Sequence, residues 1–361
     1  MKIAIVVGVR PEFIKMAPFI KLCSERKIEH FVIHTGQHYG EDMDKQFFDD
    51  FKLEVPDYVL DSHSTSPSTQ IANMMTGMEA ILSKNKPDLV LVYGDSNSAL
   101  GPALACAKMN IPIGHVEAGL RSFDRTMPEE TNRVVVDHIS DFLFAPTEVC
   151  KKYLLQEGID SKRISVTGNT VVDSVFYIKD VSETKSSILD SLKLTSKNYA
   201  LLTLHRPSNV DDKEKLDEIL QSLKKICNEY SIKIVFPVHP RTRKNIDKFG
   251  LTIPEEIIVS PPLGYLDIIK LQNNAKVIFT DSGSIQEEAC VLGIPCITIR
   301  ENTERPESIE VNANILSKSN FQSMKEAFEK QSVNSIKWEN PYGDGTASQK
   351  ILEICLNQKK N

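Results

Sequence analysis

Short apolar runs rich in β-branched residues alternate along the chain with longer segments that are apolar on one side only. The short runs end in glycine or polar residues, which is typical of buried strands that lead into loops. The predicted strands are residues 2–8, 30–36, 88–95, 111–119, 142–147 and 163–169, followed by 199–205, 233–239, 256–262, 276–283 and 295–300. Because strands and helices alternate, the pattern predicts an α/β fold with two parallel sheets, each covered by helices.

The length of 361 residues exceeds what one ordinary hydrophobic core organises, and it indicates two domains. A polar stretch, residues 173–198, separates the two series of strands. We therefore predict a first domain over residues 1–170 and a second over residues 171–345.

Composition excludes several classes of protein. The net charge of -6 gives no basic footprint for nucleic acid, and no apolar run approaches the roughly 18 residues that span a membrane. Seven cysteines without paired spacing indicate reduced thiols in a cytoplasmic protein. His34 and His38 stand four apart, but Gly36 between them makes a helical pair of ligands doubtful, so no metal site is predicted.

The first strand leads into a turn that suits a phosphate. Arg10 stands at the strand tip, and Pro11 favours the first position of the helix that follows. The chain lacks the GxGxxG pattern here, so the sequence does not predict a nicotinamide dinucleotide. The alternative is a plain turn in which Arg10 faces solvent.

A second turn of this kind follows the strand at residues 276–283. Asp281, Ser282, Gly283 and Ser284 precede an apolar-periodic helix, and a helix N-terminus favours anions. One glutamate of the pair at 287 and 288 can then reach ribose hydroxyls. In the alternative interpretation, Ser282 or Ser284 only caps the helix.

Two histidines end strands in the second half. His205 and His239 are each followed by an arginine within two residues, a grouping that can offset the charge of a diphosphate. A histidine at a strand end also serves as an ordinary structural residue, and that alternative stays open.

Carboxylates gather in the first half. Asp95 and Glu117 each end a predicted strand, so we expect them to face the same crevice. Glu129 stands three residues after Thr126, which is a capping-box spacing, and Arg133 lies within salt-bridge reach of Glu129. Carboxylates beside an anion site indicate proton transfer on a nucleotide-linked substrate.

Taken together, the motifs resemble one family. They are "GVRPEFIKMAP", "TGQHY", "YGDSNS", "HVEAGLRS", "MPEETNR", "APTE", "TGNTVVD", "LHRPSN", "PVHPR", "TDSGSIQEEA" and "NTERPE". Their order is that of the non-hydrolysing UDP-N-acetylglucosamine 2-epimerases, and the resemblance covers residues 1 to about 345. It implies two Rossmann-like domains in the GT-B architecture with an interdomain cleft, and a C-terminal helix, residues 346–361, that completes the first domain.

The resemblance also implies the chemistry and the residues that perform it. In that family, UDP-GlcNAc and UDP-ManNAc interconvert through loss and re-addition of UDP, with a 2-acetamidoglucal intermediate and no cofactor. We expect a cytoplasmic homodimer. The catalytic residues that it implies are Asp95, Glu117, Glu129 and His205. The substrate-binding residues are Arg10, Lys15, Arg133, His239, Ser282, Gly283, Ser284 and Glu288.

Two other functions stay open at this point. One is epimerisation of another UDP-2-acetamido sugar, such as the 2,3-diacetamido glucuronate, because these motifs do not specify the shape of the sugar pocket. The other is a GT-B glycosyltransferase, which would share the nucleotide site but require an acceptor.

Overall fold

A computed structural model describes residues 1–37, 51, 53–64, 66–333 and 337–357. The chain divides into two compact units, Met1–Tyr177 with Tyr342–Asn361, and Ile178–Pro341. In chain order the helices are α1 Arg10–Glu25, α2 Pro67–Asn85, α3 Asn97–Lys108, α4 Pro128–Ile139, α5 Glu148–Gln156, α6 Thr170–Lys185, α7 Ile188–Ser191, α8 Pro207–Val210, α9 Lys213–Tyr230, α10 Pro240–Phe249, α11 Tyr265–Asn274, α12 Gly283–Leu292, α13 Pro306–Glu310, α14 Phe321–Val333 and α15 Ala347–Asn357.

The first unit contains a seven-stranded sheet in the order β3-β2-β1-β4-β5-β6-β7. Every neighbouring pair of strands in it is parallel. The strands are β1 Lys2–Val7, β2 Glu29–His34, β3 Tyr58–Val59, β4 Leu89–Tyr93, β5 Ile113–Val116, β6 Phe142–Ala145 and β7 Ile164–Val166.

The second unit contains a six-stranded parallel sheet in the order β10-β9-β8-β11-β12-β13. Its strands are β8 Tyr199–Thr203, β9 Lys233–Pro237, β10 Ile257–Ser260, β11 Val277–Thr280, β12 Cys296–Ile299 and β13 Asn314–Ser317. The prediction of an α/β fold with two parallel sheets is confirmed. The sequence pattern missed two strands. β3 has only two residues, and the apolar run of β13 is only two residues long because the strand begins at Asn314 and ends at Ser317.

Both faces of the second sheet are buried, as parallel sheets require. Along β8, Ala200 and Leu202 pack into one hydrophobic cluster, whereas Tyr199 and Leu201 pack into another. A strand buried on both faces reads as a continuous apolar run. This explains why the strands stood out so clearly in the sequence.

The first unit extends to Tyr177, past the boundary that the polar stretch indicated at residue 170. The first turns of α6 are apolar and fully buried at Val171, Val172 and Val175. Ser174 also donates its hydroxyl hydrogen bond to the carbonyl of Ile14 in the same unit, at 2.6 Å. The beginning of α6 is therefore part of the first core, although the residues that follow it are polar.

The C-terminal helix α15 belongs to the first unit by the same division. Asp173 accepts hydrogen bonds from the backbone nitrogens of Ala347, at 3.3 Å, and Ser348, at 2.9 Å. The helix was predicted over residues 346–361, of which 358–361 lie outside the described residues.

Candidate active site

Strand order brings together the turns of the first unit that carry the predicted carboxylates. The order of the sheet reverses between β1 and β4, and ligands of open parallel sheets bind at such a reversal, outside the carboxyl ends of the strands. Arg10 begins α1 directly after β1, and Asp95 follows β4. Tyr93 of β4 lies opposite Val116 of β5, so the turn with Glu117 is the next one along.

Glu117 is buried and held by two side chains. The ammonium nitrogen of Lys15 lies 2.6 Å from Glu117 Oε1, and both side chains are less than a tenth exposed. Asn169 donates to the same oxygen at 3.3 Å. Glu117 has a φ angle of 72°, a left-handed conformation that costs a residue with a side chain about 1–3 kcal/mol. Such strain persists only where the surroundings fix it.

Asp95 is more open than Glu117, with a side chain 34% exposed. Arg133 of α4 pairs with Asp95 through one guanidinium nitrogen and with Glu130 through the other, the latter at 2.6 Å. Two ion pairs therefore lie on these adjacent turns, Lys15 with Glu117 and Arg133 with Asp95.

Two expectations about Glu129 are wrong. Helix α4 begins at Pro128 with Met127 at the N-cap, and Thr126 donates its hydroxyl to Asp124, so the predicted capping box does not form. Arg133 pairs with Glu130 rather than with Glu129. Pro128 favours the first helical position and thereby moves the start of the helix one residue past the expected one. Glu129 is exposed, and its side chain forms no hydrogen bond or ion pair with the described residues.

Glu12 is a buried carboxylate that the sequence analysis missed. Its Oε2 accepts from the backbone nitrogens of Gly8, at 2.7 Å, and Val9, at 3.2 Å, and its Oε1 accepts from the Ser96 hydroxyl at 2.5 Å. It therefore ties the turn after β1 to the turn after β4. Burial raises the pKa of Glu12 to about 7, against the hydrogen bond from Ser96, which lowers it. A glutamate three residues after an N-cap was the available signal, but the N-cap is Val9, whose side chain is not a usual cap.

The second sheet reverses its order between β8 and β11. Thr203 at the end of β8 lies opposite Thr280 at the end of β11, and their hydroxyls are 2.6 Å apart. The turn after β8 carries His205 and the turn after β11 carries Ser282, so these two predicted turns are neighbours.

Asp281 organises the turn after β8. This fully buried carboxylate accepts from the backbone nitrogens of His205 and Arg206, both at 3.0 Å, and lies 3.5 Å from Nδ1 of His205. Burial lowers the pKa of His205 below its ordinary value, and the charge of Arg206 adds to the shift while Asp281 opposes it. His205 is thus a neutral ring at pH 7, with Nδ1 directed at Asp281.

His239 lies beside His205, with ring centroids 5.4 Å apart. It is the N-cap of α10, and its Nδ1 accepts from the backbone nitrogen of Arg241 at 3.2 Å. Burial lowers the pKa of His239 also, with Asp281 opposing. The structural role that the sequence left open for a strand-end histidine therefore applies to His239 as a helix cap.

The turn after β11 has the form of an anion site. Helix α12 begins at Gly283 with Ser282 at the N-cap, and the Ser282 side chain makes no capping hydrogen bond. Ser284 follows on the first turn. A β-carbon at Gly283 would lie 2.6 Å from Glu304 Oε1, and Glu304 is itself held by Arg300 at 2.8 Å. A larger residue at this position would therefore displace the Glu304 carboxylate.

Glu288 is buried and is held by polar side chains of α11. It accepts from the Tyr265 hydroxyl at 3.2 Å and from Gln272 at 2.5 Å. Its neighbour Glu287 is fully buried and forms an ion pair with Arg305 at 2.6 Å. The structure thus gives the two glutamates different partners. The local residue pattern did not distinguish between them.

The described residues contain neither a metal-binding cluster nor a membrane-spanning helix. No cluster of three or more metal-binding side chains occurs there. His38, which the sequence placed near His34, lies outside the described residues. None of the described helices is long and apolar enough to cross a bilayer.

Comparison with known proteins places the chain in a family. A family model for UDP-N-acetylglucosamine 2-epimerase matches residues 21–356. A UDP-N-acetylglucosamine 2-epimerase of Methanococcus maripaludis is 47% identical and covers 99% of each chain. A UDP-2,3-diacetamido-2,3-dideoxy-D-glucuronate 2-epimerase of Pseudomonas aeruginosa is 37% identical, over 98% of this chain and 99% of that one.

A solved structure gives the same result at the level of the fold. The crystal structure of Methanocaldococcus jannaschii UDP-GlcNAc 2-epimerase in complex with UDP-GlcNAc and UDP is 44% identical, with a TM-score of 0.91 over 99% of this chain and 100% of that chain. The expected GT-B fold class is thereby confirmed. With its two parallel sheets, its paired carboxylates and a match that runs over nearly its whole length, the chain belongs to the UDP-N-acetylglucosamine 2-epimerase family.

Proposed function

We propose that this enzyme interconverts UDP-N-acetylglucosamine and UDP-N-acetylmannosamine by inverting C2 of the sugar. The family supports this, and the M. jannaschii relative is bound to UDP-GlcNAc and UDP. The observation that carries the proposal is the pair Asp95 and Glu117 on adjacent turns, paired respectively with Arg133 and Lys15. Two carboxylates so placed can remove one proton and return another.

The reaction requires that UDP leave first, because the C2 proton of the intact sugar is hardly acidic. When the C1–O bond breaks, its electron pair leaves with UDP, and the positive character at C1 makes the C2 proton removable. A carboxylate takes that proton, and the C1–C2 double bond of 2-acetamidoglucal forms. Return of a proton to the opposite face of C2, with re-addition of UDP at C1, gives the epimer. We assign the proton transfers to Asp95, Glu117 and Glu129.

The second unit supplies groups for the UDP moiety in this proposal. Ser282, Gly283 and Ser284 form the N-terminus of α12, where two serine hydroxyls and backbone N–H groups favour an anion. His205 is neutral without ligand, and the charge of a diphosphate favours its protonation, so that it stabilises departing UDP. Glu288 is assigned to the ribose hydroxyls, which can donate to a carboxylate.

The remaining assignments concern cations and a histidine cap. Arg10 begins α1 at the strand reversal, and we assign it to a phosphate. Lys15 and Arg133 orient the carboxylates that they bind. His239 supports the same diphosphate as His205, since it caps α10 through Nδ1 and leaves Nε2 as the donor.

Incubation of the purified enzyme with UDP-GlcNAc alone in D₂O tests the proposal. The expected product is UDP-ManNAc with deuterium at C2, because a carboxyl proton exchanges with solvent before it returns. Turnover without deuterium would contradict the carboxylate assignment, and the absence of any epimer would contradict the substrate.

A variant links this chemistry to one residue. Glu117→Gln should lower kcat by about 10²- to 10⁴-fold while UDP binding, measured by calorimetry, stays within twofold. Glu25→Gln, at the exposed end of α1, is the matched control. Circular dichroism of both variants shows whether the fold is retained. A folded Glu117→Gln enzyme with a normal rate removes Glu117 from the mechanism.

Two other functions have distinct outcomes in the same assay. Identity is 47% to a UDP-GlcNAc epimerase and 37% to a UDP-2,3-diacetamido glucuronate epimerase, which favours UDP-GlcNAc as substrate. If the enzyme turned over only the UDP-2,3-diacetamido glucuronate and not UDP-GlcNAc, that sugar would be the preferred substrate instead. Turnover only after addition of a sugar or lipid acceptor would identify a glycosyltransferase.

We also propose a homodimer that acts in the cytoplasm. All seven cysteines are buried and none forms a disulfide, as expected for a protein kept in a reducing compartment. Light scattering should give twice the chain mass of 40.5 kDa. A single chain mass at micromolar concentration would contradict the dimer.

A further inference from the structure

A buried chain of charged side chains lies behind the turns that carry Asp95 and Glu117. His115 of β5 and Asp137 of α4 are fully buried, and His115 Nδ1 lies 2.7 Å from Asp137 Oδ1. Arg121 lies 2.7 Å from the other oxygen of Asp137 and continues to Glu157, also at 2.7 Å. None of these four residues has a role in the proton transfers proposed above.

The hydrogen bonds of His115 define the protonation of its ring. Nε2 lies 2.8 Å from the backbone carbonyl of Gly94, and a carbonyl oxygen can only accept. Asp137 on the other side is also an acceptor, because its second oxygen lies 2.7 Å from the Arg121 guanidinium and accepts from the backbone nitrogen of Gly119. Both bonds form only if both ring nitrogens carry a proton, so the ring is an imidazolium. A neutral ring would set a nitrogen lone pair directly against an acceptor oxygen at 2.7 or 2.8 Å in a fully buried site.

These bonds fix the backbone on both sides of the strained residue Glu117. His115 stands two residues before it, and the backbone nitrogen of Gly119, two residues after it, donates to Asp137 at 3.2 Å. The carbonyl that His115 holds belongs to the peptide bond between Gly94 and Asp95. One imidazolium and one carboxylate therefore connect the Asp95 turn, the Glu117 turn and helix α4, which also carries Arg133.

We propose that His115 is a positioning residue, which as an imidazolium clamps the Gly94–Asp95 peptide and, through Asp137, the Glu117 turn in one catalytic arrangement. This inference rests on the proposed function for its kinetic consequence, but the protonation of the ring is independent of it. A displacement of about 1 Å at reacting groups can lower the rate by about 10²-fold. We expect a loss of this size when the clamp is removed.

The kinetic test is His115→Gln. A glutamine amide can donate to one of the two acceptors, but it then directs its oxygen at the other. The expected result is a fall in kcat of about 10²-fold, with KM changed less than threefold and UDP binding unchanged. His30→Gln is the matched control. His30 lies in the same sheet, near the amino end of β2 and therefore away from the carboxyl ends that carry the site, and its Nδ1 is 2.8 Å from the Ile28 carbonyl oxygen. A folded His115→Gln enzyme with near-normal kcat overturns the proposal, as does a loss confined to KM.

Nitrogen NMR of the wild-type enzyme keeps the proposal testable if His115→Gln fails to fold. The two ring nitrogens of an imidazolium have nearly equal ¹⁵N shifts, whereas those of a neutral ring are far apart. We expect one histidine in which both ring nitrogens carry protons that exchange slowly with solvent. One of these protons lies in the short hydrogen bond to Asp137. Eight neutral rings at the assay pH would overturn the proposal. If the wild-type enzyme shows this signal but does not epimerise UDP-GlcNAc, the proposed function fails and the clamp stands.

Discussion

Replacement of Glu12 by glutamine tests how burial and hydrogen bonding together set the pKa of this carboxyl group. Glu12 lies where the strand order of the first sheet reverses. Glu12 is 5% exposed, and its pKa rises from 4.5 to about 7 on folding. Because the raised pKa means that the folded state holds the proton more tightly, this contribution to stability is complete below pH 4.5. It is lost as the pH rises through 7. At about 1.4 kcal/mol for each pH unit, the loss amounts to about 3 kcal/mol.

The assay is urea unfolding followed by far-UV circular dichroism between pH 4.5 and 8. Glu12→Gln removes the titration, so the free energy of unfolding of the wild type should fall relative to this variant by about 3 kcal/mol over that range. Glu25→Gln, on the exposed end of the same helix, should show no such change relative to wild type. The reasoning is refuted if the difference between wild type and Glu12→Gln is constant with pH, or if it changes in the opposite direction.

Three further substitutions have defined outcomes. Gly283→Ala should lower both Tm and UDP affinity, measured by calorimetry, because its β-carbon would lie 2.6 Å from Glu304 Oε1 and would displace that buried carboxylate from its ion pair with Arg300. Lys15→Met should destabilise the enzyme by about 3 kcal/mol in urea unfolding, since it leaves the charge of Glu117 buried, and adding Glu117→Gln should restore most of that loss. Glu129→Gln should change Tm very little, because Glu129 is exposed. If kcat also stays normal in this variant, Glu129 leaves the catalytic set.

The clearest agreement between sequence and structure lies in the strands and in the residues that follow them. Eleven short apolar runs gave eleven strands, because strands buried on both faces contain few polar residues. Arg10, Asp95, Glu117, His205 and Ser282 were selected from their places at the ends of those runs. Local pattern alone located all of them.

Local pattern failed where the partner of a side chain comes from a distant part of the chain. Arg133 was matched to Glu129 from helical spacing, yet it binds Glu130 and Asp95, the latter 38 residues away in sequence. The capping box at Thr126 was also a local inference, and Pro128 changed the start of the helix. The pairing of Arg133 with Asp95 required the tertiary structure, whereas the start of the helix was signalled locally by Pro128.

The sequence by itself determined the α/β class, the two sheets and the set of polar residues at the carboxyl ends of the strands. The tertiary structure decided which of those ends are neighbours, and with them the roles of Glu12, Asp281 and His115. Asp281 meets His205 across 76 residues, and His115 meets Asp137 across 22. Strand order sets these contacts, and it results from the packing of whole βα units rather than from the residues beside each group. Burial then fixes the charge of each group, because the cost of removing it from water depends on the assembled core.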